Sequence, residues 1–284
     1  MPSRWSPRHA ALAGGWLAAC ALASVVAYAM ARVPGPGPVL AAAQARGTLV
    51  VGVRQYARPA PPKAPSAPEP DHFDVAAAQF LADRLGVGLR VVGLPGEPGS
   101  ARWQAAAGGV DLVVAGATAS PAPRAVPSPY ATGGAALLVL RGSRYRRAEE
   151  LRGQPVCVAQ GSPYAAGLAS AAGTVPKVYA SSIRAASGFL AGECQALADD
   201  EPVIARLGTL PEWRFYRALP GTIEADADGA RIVLSSPDSQ SAAWLDRAVA
   251  DWRRHGALDR ARAQRAGDVA YEASQLQDGL VCHS

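Results

Sequence analysis

GGVDLVVAGATASPAPRAVPSPYATGGAALLVL, residues 108–140, is the stretch on which the fold turns. VDLVVAG is a nearly continuous apolar run, the pattern of a parallel strand covered on both faces. AALLVL is a second such run. The loop between them is built from Ala, Pro, Ser, Thr, Val, Tyr and Gly, and Arg124 is its one charged residue.

Working outward, strands and helices alternate. Upstream, GTLVVGV (47–53) reads as a strand by its β-branched density. A long proline-rich loop, RQYARPAPPKAPSAPEPDH, follows. FDVAAAQFLADRLGV then places Phe73, Phe80, Leu81 and Leu85 at helical spacing, with Gly86 as the stop. LRVVGL is a strand, and ARWQAAAGG a short helix. Downstream, AEELRGQ reads as a short helix and PVCVAQGS as a strand. YAAGLASAAG is a helix, KVYAS a strand, SIRAASGFLAG a helix and CQALADD a strand, and EPVIARL opens another helix. GARIVLSSP returns as a strand. SAAWLDRAVADWRRHGALDRARAQ is a long amphipathic helical region interrupted at Gly256.

This β-α rhythm predicts an α/β fold with mainly parallel sheets. Two βα groups and a returning strand and helix predict two lobes. The first spans 46–140 plus the return 229–268, and the second spans 141–228. Residues 32–45 read as a Pro/Gly linker, and 269–284 as a tail without assignment. A chain that crosses twice between lobes leaves a cleft there, a common place for small ligands.

Composition narrows the partners. Net charge is +5 over 284 residues, and no long Lys/Arg block gives a concentrated basic face, so nucleic acid is not an expected partner. His9, His72, His255 and His283 are scattered, and no CxxC or Cys/His cluster suggests a metal; no cofactor is expected. The N-terminus carries Arg4 and Arg8, then the uncharged run Ala10–Ala31, closed by Ala29-Met30-Ala31. That is the grammar of an export signal. The run is also long enough to span a bilayer uncleaved, and Leu17-Ala18-Ala19-Cys20 resembles a lipobox. A cleaved signal peptide, a retained anchor and acylation at Cys20 all stand as readings for 1–31. Cys157 and Cys194 lie in apolar strand-like runs and read as buried, inert thiols. Outside 1–31 these two and Cys282 are three cysteines, an odd count for any disulfide scheme there.

The order of these pieces resembles the bacterial family 3 extracellular solute-binding proteins, the polar amino acid binders of periplasmic uptake systems. The resemblance runs over about 46–266. It rests on GTLVVGV, FDVAAAQFLADRLGV, GGVDLVVAGATAS with Trp103, PSPY, LLVLRGS, EELRGQPVCVAQGS, GECQALADDEPVIARL and WLDRAVADWRRHGALDRA, in that order. It implies a two-lobe periplasmic-binding-protein-like (type II) clamp, located in the periplasm. Such a clamp captures a small polar ligand, an amino acid or related zwitterion, and passes it to an inner-membrane ABC permease. No enzymatic activity is implied.

The resemblance also implies a site. Thr118 and Ser120, followed by Arg124, would hold the ligand carboxylate, for which a planar guanidinium fork is suited. Gly161-Ser162 would offer backbone N–H groups at a helix start. Asp200, before Glu-Pro, would take the α-ammonium, and Tyr56 would wall the ligand side chain. Each residue has a plainer reading beside it. Arg124 reads equally as a solvated loop residue, and Ser162 and Asp200 as helix caps, with Asp199 as the alternative to Asp200. Asp74, Trp103 and Tyr130 read as structural. The sequence departs from the family pattern at this site. The spacing from Arg124 to Pro129-Tyr130 is short, prolines replace polar residues in the loop, and Pro163 removes an N–H beside Ser162. Two other functions fit the same scaffold. One is a membrane-tethered sensory or accessory protein, for example beside a periplasmic quinoprotein dehydrogenase. The other is a cyclohexadienyl dehydratase-like enzyme.

Overall fold

The computed structural model describes residues 35–58, 67–116, 124–170, 172–225 and 229–278. The proposed export segment 1–31 with Cys20, the loop residues Thr118 and Ser120, and Cys282 lie outside them.

Helix α1 (Pro38–Arg46) starts with proline at the first turn, where no N–H is needed, and stops at the left-handed Gly47 (φ 70°). Leu40 and Ala43 sit three apart on one face and are fully buried. The stretch from Pro38 is thus a packed helix, where the sequence suggests linker. The chain then runs β1 (Thr48–Ala57), β2 (Pro68–Pro70), α2 (His72–Leu85), β3 (Gly88–Leu94), α3 (Ala101–Ala107) and β4 (Leu112–Val114). β1 is central, parallel to both β3 and β4. Its far end extends past the apolar run and pairs antiparallel with β2, Tyr56 opposite Glu69. The ends of the proline-rich segment therefore form a small flap. Prolines are tolerated there because β2 needs few ladder donors at an edge.

The second sheet comprises β5 (Gly134–Leu140), β6 (Pro155–Ala159), β7 (Val175–Tyr179), β8 (Ala196–Asp200), β9 (Tyr216–Ala218) and β10 (Ile223–Glu224). Helices α4 (Ala165–Ser170), α5 (Ser182–Leu190) and α6 (Glu201–Leu207) connect its strands, and Ala148–Leu151 is a 3-10 turn. The order is β10-β5-β8-β6-β7, with β9 on β5. β6 runs parallel to β7 and β8, and β5 runs antiparallel to β8. Strand 134–140, which the sequence groups with the first lobe, is hydrogen-bonded in the second sheet. The reason is register: Ala135 and Ala136 pair with Asp200 and Asp199, so the strand completes the sheet that carries the acids. The chain returns through β11 (Val233–Leu234), antiparallel to β4. It thus crosses between sheets twice, and the architecture is two mixed sheets flanked by helices, an α/β fold of two lobes.

Two helices close the chain, α7 (Ser239–Arg254) and α8 (Ala257–Asp278), separated at Gly256 (φ 71°). Asp238 caps α7 through the Gln240 and Ser241 N–H groups and also accepts from Val39 N–H at 2.9 Å, which ties α1 to α7. α8 changes lobes along its length. Ala257, Leu258 and Ala261 belong to the first core, with Leu49, Phe73 and Trp252. Ala266, Val269 and Ala273 belong to the second, with Ile183, Val203 and Leu207. Spacing of three and four residues keeps each set on one face.

The cysteine reading needs correction. Cys157 and Cys194 are buried, as their apolar context requires, but they form a disulfide with Cα atoms 5.6 Å apart. Apolar strand context predicts burial and carries no information on which other side chain lies opposite. Among the described residues no helix is long and apolar enough to cross a membrane.

Candidate functional site

The acids Asp199 and Asp200 end β8, and each is 4% exposed. Alternation along a strand should send neighbouring side chains to opposite faces. Here the strand ends at Asp200 and α6 begins at Glu201, so both carboxyls come within reach of one cation. Arg265 of α8 is that cation. Its Nη2 donates to Asp199 Oδ1 at 3.0 Å and to Ser182 Oγ at 2.7 Å, and its Nη1 lies 3.6 Å from Asp200 Oδ2. Asp200 also accepts from the Tyr164 hydroxyl. Asp199 Oδ1 accepts the Asp200 N–H at 2.8 Å. Asp200 is the N-cap residue of α6 by position, yet its side chain makes no capping hydrogen bond. It is turned into the lobe junction instead.

Burial raises the Asp199 carboxyl above its ordinary pKa; Arg265 opposes the shift and Asp200 adds to it. For Arg265, burial alone would lower the pKa, but Asp199, Asp200 and Asp71 together hold it above the ordinary arginine value. Burial, reinforced by Asp200, likewise pushes up the Tyr164 hydroxyl. Arg262, one turn earlier on α8, brings Nε to 4.0 Å from Asp200 Oδ2, and that Nε has no hydrogen-bond partner among the described residues.

The first lobe contributes a second buried cluster. Arg54, near the end of β1, donates from Nε to Asp74 Oδ2 at 2.7 Å, and its Nη2 lies 3.5 Å from Asp71. Its Nη1 reaches across to the Gln160 carbonyl of the second lobe at 2.5 Å. The Tyr130 hydroxyl donates to Asp74 Oδ1 at 2.6 Å and accepts the Gly116 N–H at 2.6 Å. The Tyr56 hydroxyl donates to Asp71 Oδ2 at 3.0 Å. Burial, eased by Arg54 and sharpened by Asp71, raises Asp74 to about 6. Asp71 is also buried, which would raise it, but Arg54, Arg265, the Asp74 N–H and Tyr56 outweigh that and lower it.

Between the clusters the lobes touch directly. Gly116 (φ 72°) and Gly161 (φ 72°) are packed backbone to backbone: a Cβ on Gly116 would lie 2.5 Å from the Gly161 oxygen. Beside this contact lies a cavity of about 30 Å³ flanked by Tyr56, Asp71, Ser182, Arg265, Asp268 and Glu272.

The residues expected from sequence distribute as follows. Asp200, Gly161 and Tyr56 lie at this junction. Ser162 Oγ accepts the Tyr164 N–H at 3.3 Å, in the turn that leads to α4. Arg124 sits on the first lobe with Nη1 3.4 Å from the Ser235 carbonyl, at the end of β11. Thr118 and Ser120 lie outside the described residues. Asp74, Tyr130 and Trp103 are buried within the first lobe, Trp103 against Leu94 and Ala115. Sequence reasoning missed Arg54, Asp71, Arg262 and Arg265. A signal for the last two was present: Arg262, Arg265, Asp268 and Glu272 recur every three or four residues of α8, a charged stripe beside its apolar one.

No protein-family model matches the chain, and no curated sequence matches it. Solved structures do. An amino acid ABC transporter substrate-binding protein of Streptococcus pneumoniae bound to L-arginine aligns over 81% of this chain and 98% of its own, at 16% identity and TM-score 0.56. A variant of the arginine-binding protein of T. maritima aligns over 78% and 96%, at 18% identity and TM-score 0.53. An ancestral amino acid-binding protein, described as a precursor of cyclohexadienyl dehydratase, aligns over 79% and 98%, at 20% identity and TM-score 0.54. The chain has the two-lobe α/β fold of the amino acid substrate-binding proteins.

Proposed function

We propose that this protein is an exported, periplasmic receptor for a small cationic or zwitterionic amino acid, serving an ABC-type permease. The observation that carries the reading is the buried Asp199–Asp200 pair at the lobe junction, already engaged with a guanidinium. Two carboxylates with tyrosine and serine partners are suited to an ammonium or guanidinium group, and buried charges need such pairing. The ligand's carboxylate is assigned to Arg124, with Thr118 and Ser120, on the loop that leaves Gly116. Gly161, Ser162 and Tyr56 complete the wall. The first lobe would bind first, and the second would close on the ligand, driven by the extra contacts that only the closed state offers. The same scaffold neighbours include a dehydratase precursor, but the reading here is of binding without turnover.

The test is a thermal-shift screen of the mature chain against amino acids, polyamines and small organic acids, repeated for Arg124→Ala and Asp200→Asn. A ligand at a hundred times its Kd stabilises by about 2.7 kcal/mol. Basic amino acids are expected to shift the wild type and to lose most of that shift in both variants. An equal shift in all three proteins would place the ligand elsewhere.

A further inference from the structure

We infer that helix α8 is a resident occupant of the cleft: Arg265 fills its cation half, and a free ligand must displace that guanidinium to bind. The inference rests on the receptor reading of the acid pair. Three independent observations carry it further. First, Arg265 makes the contacts a ligand's cationic group would make, to Asp199, Asp200 and Ser182, and all three belong to the second lobe. Second, the cavity beside Arg265, flanked by Tyr56, Asp71 and Ser182, is about 30 Å³, too small for an amino acid alongside the side chain. Third, α8 is held on both sides of the junction. Its apolar stripe, Ala266, Val269 and Ala273, is buried in the second lobe. Its charged stripe grips the first lobe, where Glu272 pairs with Arg58, and Asp268 Oδ2 lies 3.0 Å from His72 Nδ1.

Closure in these proteins is a matter of what bridges the lobes. Here α8, continuous in the chain with α7 of the first lobe, spans them through its two stripes, with Arg54 and the Gly116–Gly161 contact beside it. A side chain of the same molecule competes at a high effective concentration with anything from solution. Ligand affinity is then reduced by the small fraction of molecules in which Arg265 has left the acids. The ligand class follows from what is displaced: a molecule with a guanidinium or ammonium group, able to replace the bonds that Arg265 gives up.

Isothermal titration with L-arginine and with methylguanidinium tests this on the wild type, Arg265→Gln and Glu272→Gln. Glu272 pairs with Arg58 of the first lobe and flanks the cavity beside Arg265, so Glu272→Gln weakens the hold on α8 while Arg265 and both acids keep their side chains. We expect Glu272→Gln to bind L-arginine about tenfold tighter than wild type, as the helix is freed. Arg265→Gln should bind methylguanidinium where the wild type does not, since the small cation fits the vacated position. If Arg265→Gln fails to fold, Glu272→Gln decides alone. Wild type and Glu272→Gln binding L-arginine equally would overturn the inference and leave the receptor reading standing. No binding by any folded variant would overturn both.

Discussion

Gly116→Ala measures the contact between the lobes. The residue sits at φ 72°, where an L side chain is strained by about 1–2 kcal/mol whatever surrounds it. Its new Cβ would also lie 2.5 Å from the Gly161 oxygen and 2.9 Å from the Gly161 Cα. Both are backbone atoms, so no rotamer change relieves the overlap. Overpacking of this kind costs a further 1–3 kcal/mol or so. Gly47→Ala supplies the reference. Gly47 has nearly the same φ, 70°, and nothing among the described residues within 4 Å of its Cβ position. Strain and the loss of unfolded-state freedom are then common to both variants, and the difference between them isolates the lobe contact. Urea unfolding should show Gly116→Ala less stable than Gly47→Ala by about 2 kcal/mol, a factor of roughly thirty in the equilibrium. If the lobes part to relieve the overlap, small-angle scattering will instead show a larger radius of gyration for Gly116→Ala alone. Equal stability and equal scattering for the two variants would refute the closed Gly116–Gly161 contact.

Two further outcomes follow from the buried groups. The Cys157–Cys194 bond closes a loop of sequence separation 37, so replacing both residues by alanine should cost about 4 kcal/mol in urea unfolding through unfolded-state entropy. Asp74 contributes a pH dependence of unusual sign. Its folded pKa of about 6 lies above the ordinary 3.8, so the folded chain holds a proton there that the unfolded chain has released. The stability associated with that proton is fully present below about pH 4 and is lost as pH rises to about 6, some 3 kcal/mol in total. Asp71 acts in the opposite sense and only below its ordinary pKa. Wild type should therefore lose stability relative to Asp74→Asn between pH 4 and 6, as followed by thermal unfolding; parallel curves would show that Asp74 stays ionised.

Local chemistry made much of this chain legible. β-branched runs gave β1 and β4, helical spacing with Gly86 gave α2, and the break at Gly256 separated α7 from α8. The two crossings between sheets follow from the order of these elements. The strand and helix signals are short-range, set by backbone propensity and periodicity, and a sequence displays them directly. Asp200 was singled out by the resemblance, with helix capping as its plainer reading, and its side chain makes no capping bond.

What occupies the cleft was decided only by tertiary structure. Arg265 lies 66 residues beyond Asp199, on a helix that reads simply as amphipathic. Whether its charged stripe faces solvent or a buried acid pair depends on where the helix leaves the first core and enters the second, and no local pattern encodes that. The same holds for Cys157 and Cys194, whose burial was visible and whose partnership was not, and for Arg54, whose reach to Gln160 exists only once two lobes meet. Sequence alone determined most of the strands and helices and which acid ends the key strand, but not α1, read as linker, nor the 269–278 end of α8, read as an unassigned tail. Packing alone determined that the acid already holds a cation from its own chain, because pairing between distant charges is a property of three-dimensional proximity and desolvation.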